Sequence, residues 1–264
     1  MKIFFYKYEG TGNDFILLDN RDGKYSELKN SQIEFLCNRN FGIGADGLIL
    51  LERSAGYDFK MVYYNSDGNI SSMCGNGGRC ITAFAHELKM VDKAARFIAA
   101  DGDHESVILS TSPVIVRLKM SDVKSIEAIG KDIYLNTGSP HYVSFVDDVE
   151  KIDLVSEARK IRYNDRFKSE GTNVNFVQPI DGGLAVRSYE RGVENETLSC
   201  GTGVTASVLA SANIGVAEKS AKSILVKSRG GMLKVHFKST PAGFEDVWLE
   251  GEAKFVFKGE IENY

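Results

Sequence analysis

The sequence predicts an α+β fold made of two similar halves. Three observations point to it. Short runs rich in β-branched and aromatic residues recur along the whole chain, while only four stretches read as helix. The clearest alternation, in Val114-Ile-Val-Arg-Leu-Lys-Met120 and in Met232-Leu-Lys-Val-His-Phe237, has the period of half-buried strands. Finally, one order of elements occurs twice: several strands, a Cys-Gly-x-Gly turn, a helix of small residues, then more strands. The two turn cysteines, Cys74 and Cys200, stand 126 positions apart in a chain of 264.

In chain order, the first half offers strands at 3–8, 15–19, 48–52, 59–64, 107–110 and 114–120. The second offers strands at 141–146, 173–178, 184–190, 223–226, 232–237, 247–250 and 255–257. Asp67-Gly68, Asp101-Gly102, Asp181-Gly182-Gly183 and Gly230-Gly231 mark turns between them. A first helix is expected over 31–38, with Ser31 as its cap and Glu34 at capping-box spacing. A second is expected over 154–161. A third, over 78–90, places Ile81, Phe84, Ala85 and Leu88 on one face. The fourth, over 203–214, places Val204, Val208, Ser211 and Ala212 on one face, and its Ala and Ser residues all round suit tight packing inside a sheet.

Composition narrows the function classes. The chain is 43% hydrophobic, 26% charged and 10% aromatic, which removes disordered and coiled-coil readings. A formal net charge of −4 without a long basic stretch argues against nucleic acid or an anionic membrane as the main partner. The first eight residues are interrupted by Lys2 and Lys7 and read as a strand rather than a signal peptide. No apolar run reaches the roughly 18 residues of a membrane span. The cytoplasm, with free thiols, is therefore the expected compartment. Metal spacing is absent: there is no Cys-x-x-Cys pair, and His86, His104, His141 and His236 are scattered. No metal and no cofactor is expected. Cys37 reads as a small buried hydrophobe and Cys80 as a structural residue of the helix body.

Cys74 and Cys200 are different. A thiol that opens a helix sits among unpaired backbone N–H groups and the positive end of the helix dipole, and both favour thiolate. The same N–H groups form an anion site. Two such turns facing one cleft would hold a carboxylate with its α-carbon between two sulfurs. One thiolate would remove a proton from one face while the other thiol returned one to the opposite face. A Gly201-Thr-Gly-Val-Thr-Ala-Ser run also has a phosphate-loop look, but it lacks the Gly-Lys-Ser/Thr ending.

At this point the chain resembles the diaminopimelate epimerase family over nearly its whole length. The likeness runs through Gly10-Thr-Gly-Asn-Asp-Phe15, Gly42-Ile-Gly-Ala-Asp-Gly47, Tyr64-Asn-Ser-Asp-Gly68 and Met73-Cys-Gly-Asn-Gly-Gly-Arg-Cys80. It continues through Gly138-Ser-Pro-His141, Gly171-Thr-Asn-Val-Asn175, Tyr189-Glu-Arg-Gly-Val193 and Glu196-Thr-Leu-Ser-Cys-Gly-Thr-Gly203. The Cys turns alone also resemble proline racemase-type enzymes, which leaves a proline or hydroxyproline racemase or epimerase as the alternative. The Glu190-Arg191 pair, suited to an ammonium and a bidentate carboxylate, favours diaminopimelate. Readings from other classes are a non-catalytic or isomerase-like member of the fold and a sensor using a Cys74–Cys200 disulfide.

The resemblance implies two pseudo-symmetric domains, 1–115 plus 252–264 and 116–251. Each would be a mainly antiparallel sheet wrapped round a central helix, with the active site in the cleft between them. It implies cofactor-independent interconversion of LL- and meso-diaminopimelate in lysine and peptidoglycan biosynthesis. Cys74 and Cys200 would be the base and acid pair, and His141 and Glu190 would complete the catalytic set, sitting near the thiols and tuning which one is ionised. Gly75, Asn76, Gly201 and Thr202 would hold the α-carboxylate, and Asn13, Asn65, Asn173, Glu190 and Arg191 would read substrate polar groups, largely at the end that is not inverted. Asp14 and Asp46 read as caps or loop braces. Two departures stand out: Ser139 where the family often has Asn, and Gly47 where some members have Gln. The sequence does not set the oligomeric state, and a homodimer stays open.

Overall fold

The computed structural model describes residues 2–217 and 221–262. The terminal residues of the first expected domain, Met1, Asn263 and Tyr264, and the second domain's residues 218–220 lie outside them. The chain separates into two compact units, Met1–Leu118 with Gly251–Tyr264, and Lys119–Glu250. No helix among the described residues is long and apolar enough to cross a membrane.

The first unit contains β1 (Ile3–Gly10), β2 (Asn13–Asp19), α1 (Asn30–Cys37), β3 (Gly47–Glu52), β4 (Phe59–Asn65), β5 (Ile70–Ser71), α2 (Gly75–Glu87), β6 (Ala94–Ala99), β7 (Gly102–Thr111) and β8 (Val114–Lys119). The second contains β9 (Ile126–Ile129), β10 (Asp132–Asn136), β11 (Pro140–Phe145), α3 (Leu154–Arg162), β12 (Asn173–Ile180), β13 (Gly183–Glu190), β14 (Asn195–Thr197), α4 (Gly201–Asn213), β15 (Ser223–Ser228), β16 (Gly231–Thr240) and β17 (Gly243–Glu252). The last strand, β18 (Lys254–Ile261), returns to the first unit and pairs with β1.

The strand pairing repeats step for step. In the first unit β1 is antiparallel to β18 and β2, β2 is parallel to β3, and β3 is antiparallel to β4. Then β4 is antiparallel to β5 but parallel to β6, and β6 is antiparallel to β7. In the second unit β10 is antiparallel to β9 and β11, β11 is parallel to β12, and β12 is antiparallel to β13. Then β13 is antiparallel to β14 but parallel to β15, and β15 is antiparallel to β16. The pairs Phe15↔Gly47 and Ile49↔Tyr63 thus correspond to His141↔Asn173 and Asn175↔Ser188.

Each unit is a mainly antiparallel sheet with a helix on either face. In the first, Ile16, Leu18, Leu48 and Leu50 pack with Ile33 and Leu36 of α1. Phe15 and Ile49, one residue out of phase, project to the other face and approach α2 at Gly77. Burial on both faces is why Phe15-Ile-Leu-Leu18 and Leu48-Ile-Leu-Leu51 are continuous apolar runs rather than alternating ones. In the second unit Tyr142, Val174 and Phe176 pack with Leu154 and Ala158 of α3. His141 and Asn175 face α4 instead.

Helices α2 and α4 are the buried centres of their units. Every residue from Gly75 to Ala85 is buried, and from Gly201 to Ala212 only Thr202 is partly exposed. Small residues make this tolerable, and their hydroxyls return to the helix backbone: Thr205 donates to Gly201 O (2.9 Å), Ser207 to Gly203 O (2.7 Å) and Ser211 to Val208 O (2.8 Å). Both helices begin earlier than their apolar spacing indicated, at Gly75 and Gly201, because burial holds glycines in helical geometry that propensity disfavours. The expected Ser31 cap is corrected. Helix α1 starts at Asn30 after Lys29, and Gln32, not Glu34, accepts the Lys29 N–H, at 3.0 Å.

Candidate active site

Cys74 is the N-cap of α2, in extended geometry (φ −97°, ψ 132°), and Cys200 is the N-cap of α4 (φ −111°, ψ 109°). The first intrahelical bonds reach back to the cysteine carbonyls, Gly78 N–H to Cys74 O (2.7 Å) and Val204 N–H to Cys200 O (2.8 Å). The N–H groups of Gly75, Asn76, Gly201 and Thr202 therefore have no acceptor within their helices, and each set adjoins a sulfur. No acidic residue lies in the first turn of either helix, so the positive dipole end is not neutralised there.

Around Cys74 the neighbours are amides. The thiol donates to Asn13 Oδ1 at 3.5 Å, and Asn76 Nδ2 donates to the same oxygen at 3.3 Å. Asn13 Nδ2 donates to Asp46 Oδ2 at 2.7 Å. Arg39 bridges Asp46 and Asp14, 2.7 Å from each, and Lys7 adds a 2.7 Å ion pair to Asp14. Burial alone would raise the Asp14 carboxyl, but Arg39 and Lys7 override it and hold it at about 2. Both aspartates thus act as braces of the loop that carries Asn13.

The surroundings of Cys200 are a string of polar side chains. Its sulfur lies 3.5 Å from Thr202 Oγ1, which lies 2.9 Å from His141 Nε2. His141 Nδ1 is 3.0 Å from Asn175 Nδ2, and Ser188 Oγ donates to Asn175 Oδ1 at 2.8 Å. The Thr202 carbonyl is held by the Thr137 hydroxyl at 2.9 Å. His141 is fully buried, and desolvation with the charge of Arg191 pushes it down to about 3, so it stays neutral near pH 7.

The residues expected to read the rest of a substrate lie at strand ends. Asn65 ends β4, where its backbone closes a turn with Asn69 and Gly68 and its side chain is exposed. Asn173 begins β12. Its Nδ2 donates to Ser139 Oγ (2.8 Å) and Pro140 O (3.1 Å), and its Oδ1 accepts from the Arg191 N–H (2.9 Å). Ser139 is thereby engaged by Asn173. Glu190 ends β13 and accepts from the Thr197 hydroxyl. The Arg191 guanidinium is exposed and donates to Glu170 O at 2.7 Å, with no carboxylate among the described residues within ion-pair distance. Gly47 has no room for a side chain: a Cβ would come 2.5 Å from Tyr63 Cε2 and from Tyr64 O.

Two functional candidates escaped the sequence reading. Asn175 was hidden by the alternation of its strand, where a polar residue at a helix-facing position was the available signal. Arg79 is fully buried in α2, with Nη2 donating to Asn76 Oδ1 (2.9 Å) and Thr11 Oγ1 (3.3 Å) and Nη1 to Gly75 O (3.3 Å). No carboxylate among the described residues pairs with it, and its buried positive charge lies in the second turn of the helix that Cys74 caps. Cys37 and Cys80 are buried within the first unit, and burial pushes the Cys37 thiol up to about 12. All four cysteines are free. Among the described residues no three His, Cys, Asp or Glu side chains gather as a metal site.

Comparison with known proteins adds to this geometry. The family profile described as diaminopimelate epimerase matches residues 5–124 and 133–256, one segment in each half. A diaminopimelate epimerase from Flavobacterium psychrophilum is 47% identical over 257 residues, covering 97% of this chain and 99% of the relative. One from Chlorobaculum tepidum is 41% identical and covers 96% of this chain and 98% of its own. Among solved structures, a PhzF-family phenazine biosynthesis protein from Bacillus anthracis superimposes with a TM-score of 0.76 at 13% identity, covering 100% of both chains. A hydroxyproline epimerase from Agrobacterium vitis does so with a TM-score of 0.68 at 14% identity, covering 98% of this chain and 92% of its own. At such identities the two structures speak for the fold, an α+β architecture of two pseudo-symmetric domains. On the profile and the full-length relatives, the chain belongs to the diaminopimelate epimerase family.

Proposed function

We propose that this protein is a diaminopimelate epimerase, a cofactor-independent amino-acid epimerase that interconverts the LL and meso forms at one α-carbon. The observation that carries the reading is the duplicated, cysteine-capped buried helix, present in a chain with near-full-length relatives of that name. Inversion needs a base on one face of the carbon and an acid on the other, and two capping cysteines furnish both. One sulfur, as thiolate, takes the α-proton, forming S–H while the C–H electron pair moves into the carboxylate. The other thiol gives its proton to the opposite face and is left as thiolate. The N–H groups of Gly75, Asn76, Gly201 and Thr202 hold the α-carboxylate as its charge grows.

The distal carboxylate falls to Arg191, whose guanidinium makes no ion pair among the described residues, and the distal ammonium to Glu190. Asn13 and Asn65 supply amide contacts. Asn173 acts mainly as a brace, since its hydrogen bonds tie the 139–140 turn to Arg191. Ser139, being engaged by Asn173, reaches substrate through water. His141 acts through Thr202 on Cys200. The enzyme works in the cytoplasm, where its thiols stay reduced, and takes part in lysine and peptidoglycan biosynthesis. It requires neither nucleic acid nor membrane, in keeping with the net charge of −4. Catalysis as proposed draws on one chain, so a homodimer is not needed for it.

The test is turnover by the purified, reduced protein with LL-diaminopimelate, and separately with L-proline and trans-4-hydroxy-L-proline, followed by chiral separation. Formation of meso-diaminopimelate with no change in the imino acids is expected. Racemisation of proline without turnover of diaminopimelate would reverse the assignment.

A further inference from the structure

We propose that Asn175 is a positioning residue for this reaction: it locks His141 as the tautomer protonated on Nε2, so that the Thr202 hydroxyl is turned to donate its hydrogen to the Cys200 sulfur. The inference rests on the epimerase reading above and deepens it.

The direction of the string follows from its outer end. Ser188 Oγ donates to Asn175 Oδ1 (2.8 Å), and the Asn175 amide nitrogen lies 3.0 Å from His141 Nδ1 and 3.4 Å from Tyr142 O. An amide nitrogen only donates, so His141 Nδ1 must be bare. His141 is neutral and carries one ring hydrogen, which is therefore on Nε2 and points to Thr202 Oγ1 at 2.9 Å. With one lone pair of Thr202 Oγ1 occupied, its own hydrogen is free to face Cys200 Sγ, 3.5 Å away. Four donors then run one way, toward the sulfur, which favours its thiolate.

The internal repeat shows that the fold does not demand this string. In the first unit, the places of His141, Asn175 and Ser188 are taken by Phe15, Ile49 and Tyr63. Phe15 and Tyr63 pack edge to face, 5.9 Å between centroids, and Phe15 and Ile49 fill the space beside Gly77. The same frame is thus closed beside α2 by two apolar side chains and a tyrosine ring, with no imidazole or amide among them. Burying an imidazole and an amide where Phe and Ile fit is costly unless every bond is made. In the second unit they are made, and they lead to a cysteine. The helix is shaped to receive Asn175: at Gly203, the counterpart of Gly77, a Cβ would lie 2.3 Å from Asn175 Oδ1.

The experiment is two-bond proton–nitrogen correlation NMR of the ¹⁵N-histidine-labelled full-length protein near pH 7, with the His141 signals identified by their loss in His141→Gln. In the unmodified protein Nε2 should carry the hydrogen and Nδ1 should be bare. In Asn175→Leu, of similar volume, the Nε2–H tautomer should give way to a mixture, and kcat with LL-diaminopimelate should fall about tenfold or more while KM changes less than roughly twofold. Ser188→Ala, which frees the Asn175 amide by removing one hydroxyl, should move both readouts the same way by less. If Asn175→Leu does not fold, the unmodified protein and Ser188→Ala still decide. A hydrogen on Nδ1 in the unmodified protein would overturn the proposal, as would an unchanged tautomer and kcat in the variants. The tautomer is read without substrate, so an unmodified protein that fails to turn over diaminopimelate would count against the function and not against the lock.

Discussion

The Cys74 thiol donates to Asn13 Oδ1 at 3.5 Å, and the orientation of that amide is set from behind, because Asn13 Nδ2 donates to the Asp46 carboxylate at 2.7 Å. A carboxylate accepts only, so the oxygen of Asn13 is the end that faces the sulfur. The contact suits a thiol that holds its proton until it is needed.

Replacing Asn13 by Ala should lower kcat/KM for diaminopimelate by about tenfold to a hundredfold, the equivalent of one lost hydrogen bond of 1–3 kcal/mol at a half-buried polar site. Asp46→Ala leaves Asn13 in place but releases its orientation and should cost less, about threefold to tenfold on the same scale. Steady-state kinetics of the two variants checks the order, and an Asp46→Ala loss larger than that of Asn13→Ala would contradict it.

Gly77 and Gly203 occupy the same position in α2 and α4 but should respond differently to alanine. At Gly77 a Cβ would meet Ile49 Cδ1 at 3.1 Å and Met61 Cε at 3.2 Å, both flexible ends that can yield. At Gly203 it would lie 2.3 Å from Asn175 Oδ1, an atom held by Ser188. Gly203→Ala should therefore destabilise by about 1–3 kcal/mol and lower kcat, with Gly77→Ala close to neutral. Urea unfolding of both variants measures the difference.

Stability should fall on the acid side of neutrality. Burial, then Arg191, moves His141 from 6.5 to about 3 in the folded protein. The unfolded chain takes up a proton near 6.5 that the folded chain refuses, so this contribution is complete above 6.5 and is lost as pH drops toward 3. The slope corresponds to about 2 kcal/mol between pH 6.5 and about 5. Asp14, lowered from 3.8 to about 2, adds a further loss below 3.8. Urea midpoints across this range should decline in the unmodified protein and decline less in His141→Gln, although that variant starts from lower stability.

Much of this architecture was legible in the chain because its signals are local. The Cys-Gly-x-Gly turns and the runs at 15–19 and 48–52 read directly as helix openings and buried strands. What escaped is set by tertiary context. Strands β5, β9 and β14 are two to four residues long, and β10 and β6 begin with Asp132 and with Ala94-Ala-Arg, so neither period nor propensity marks them. The start of α1 was misplaced because Ser31 offered a better cap in isolation than Lys29. At the site, the capping cysteines were visible from motif and helix physics. Asn175 and Arg79 were not, because their importance lies in what they touch: an imidazole across a parallel strand pair, and an amide one helical turn away.

The central claim is that Cys74 and Cys200 each serve one face of the same α-carbon. Its most direct test is ¹H NMR of LL-diaminopimelate in deuterium oxide with the reduced enzyme, with Cys74→Ala, with Cys200→Ala and with Cys37→Ala. The unmodified enzyme and Cys37→Ala should incorporate deuterium at one centre with inversion, and both single variants at the helix caps should fail to invert while keeping their fold. Sustained inversion with either capping cysteine replaced, or no exchange by the fully reduced enzyme, would contradict the account.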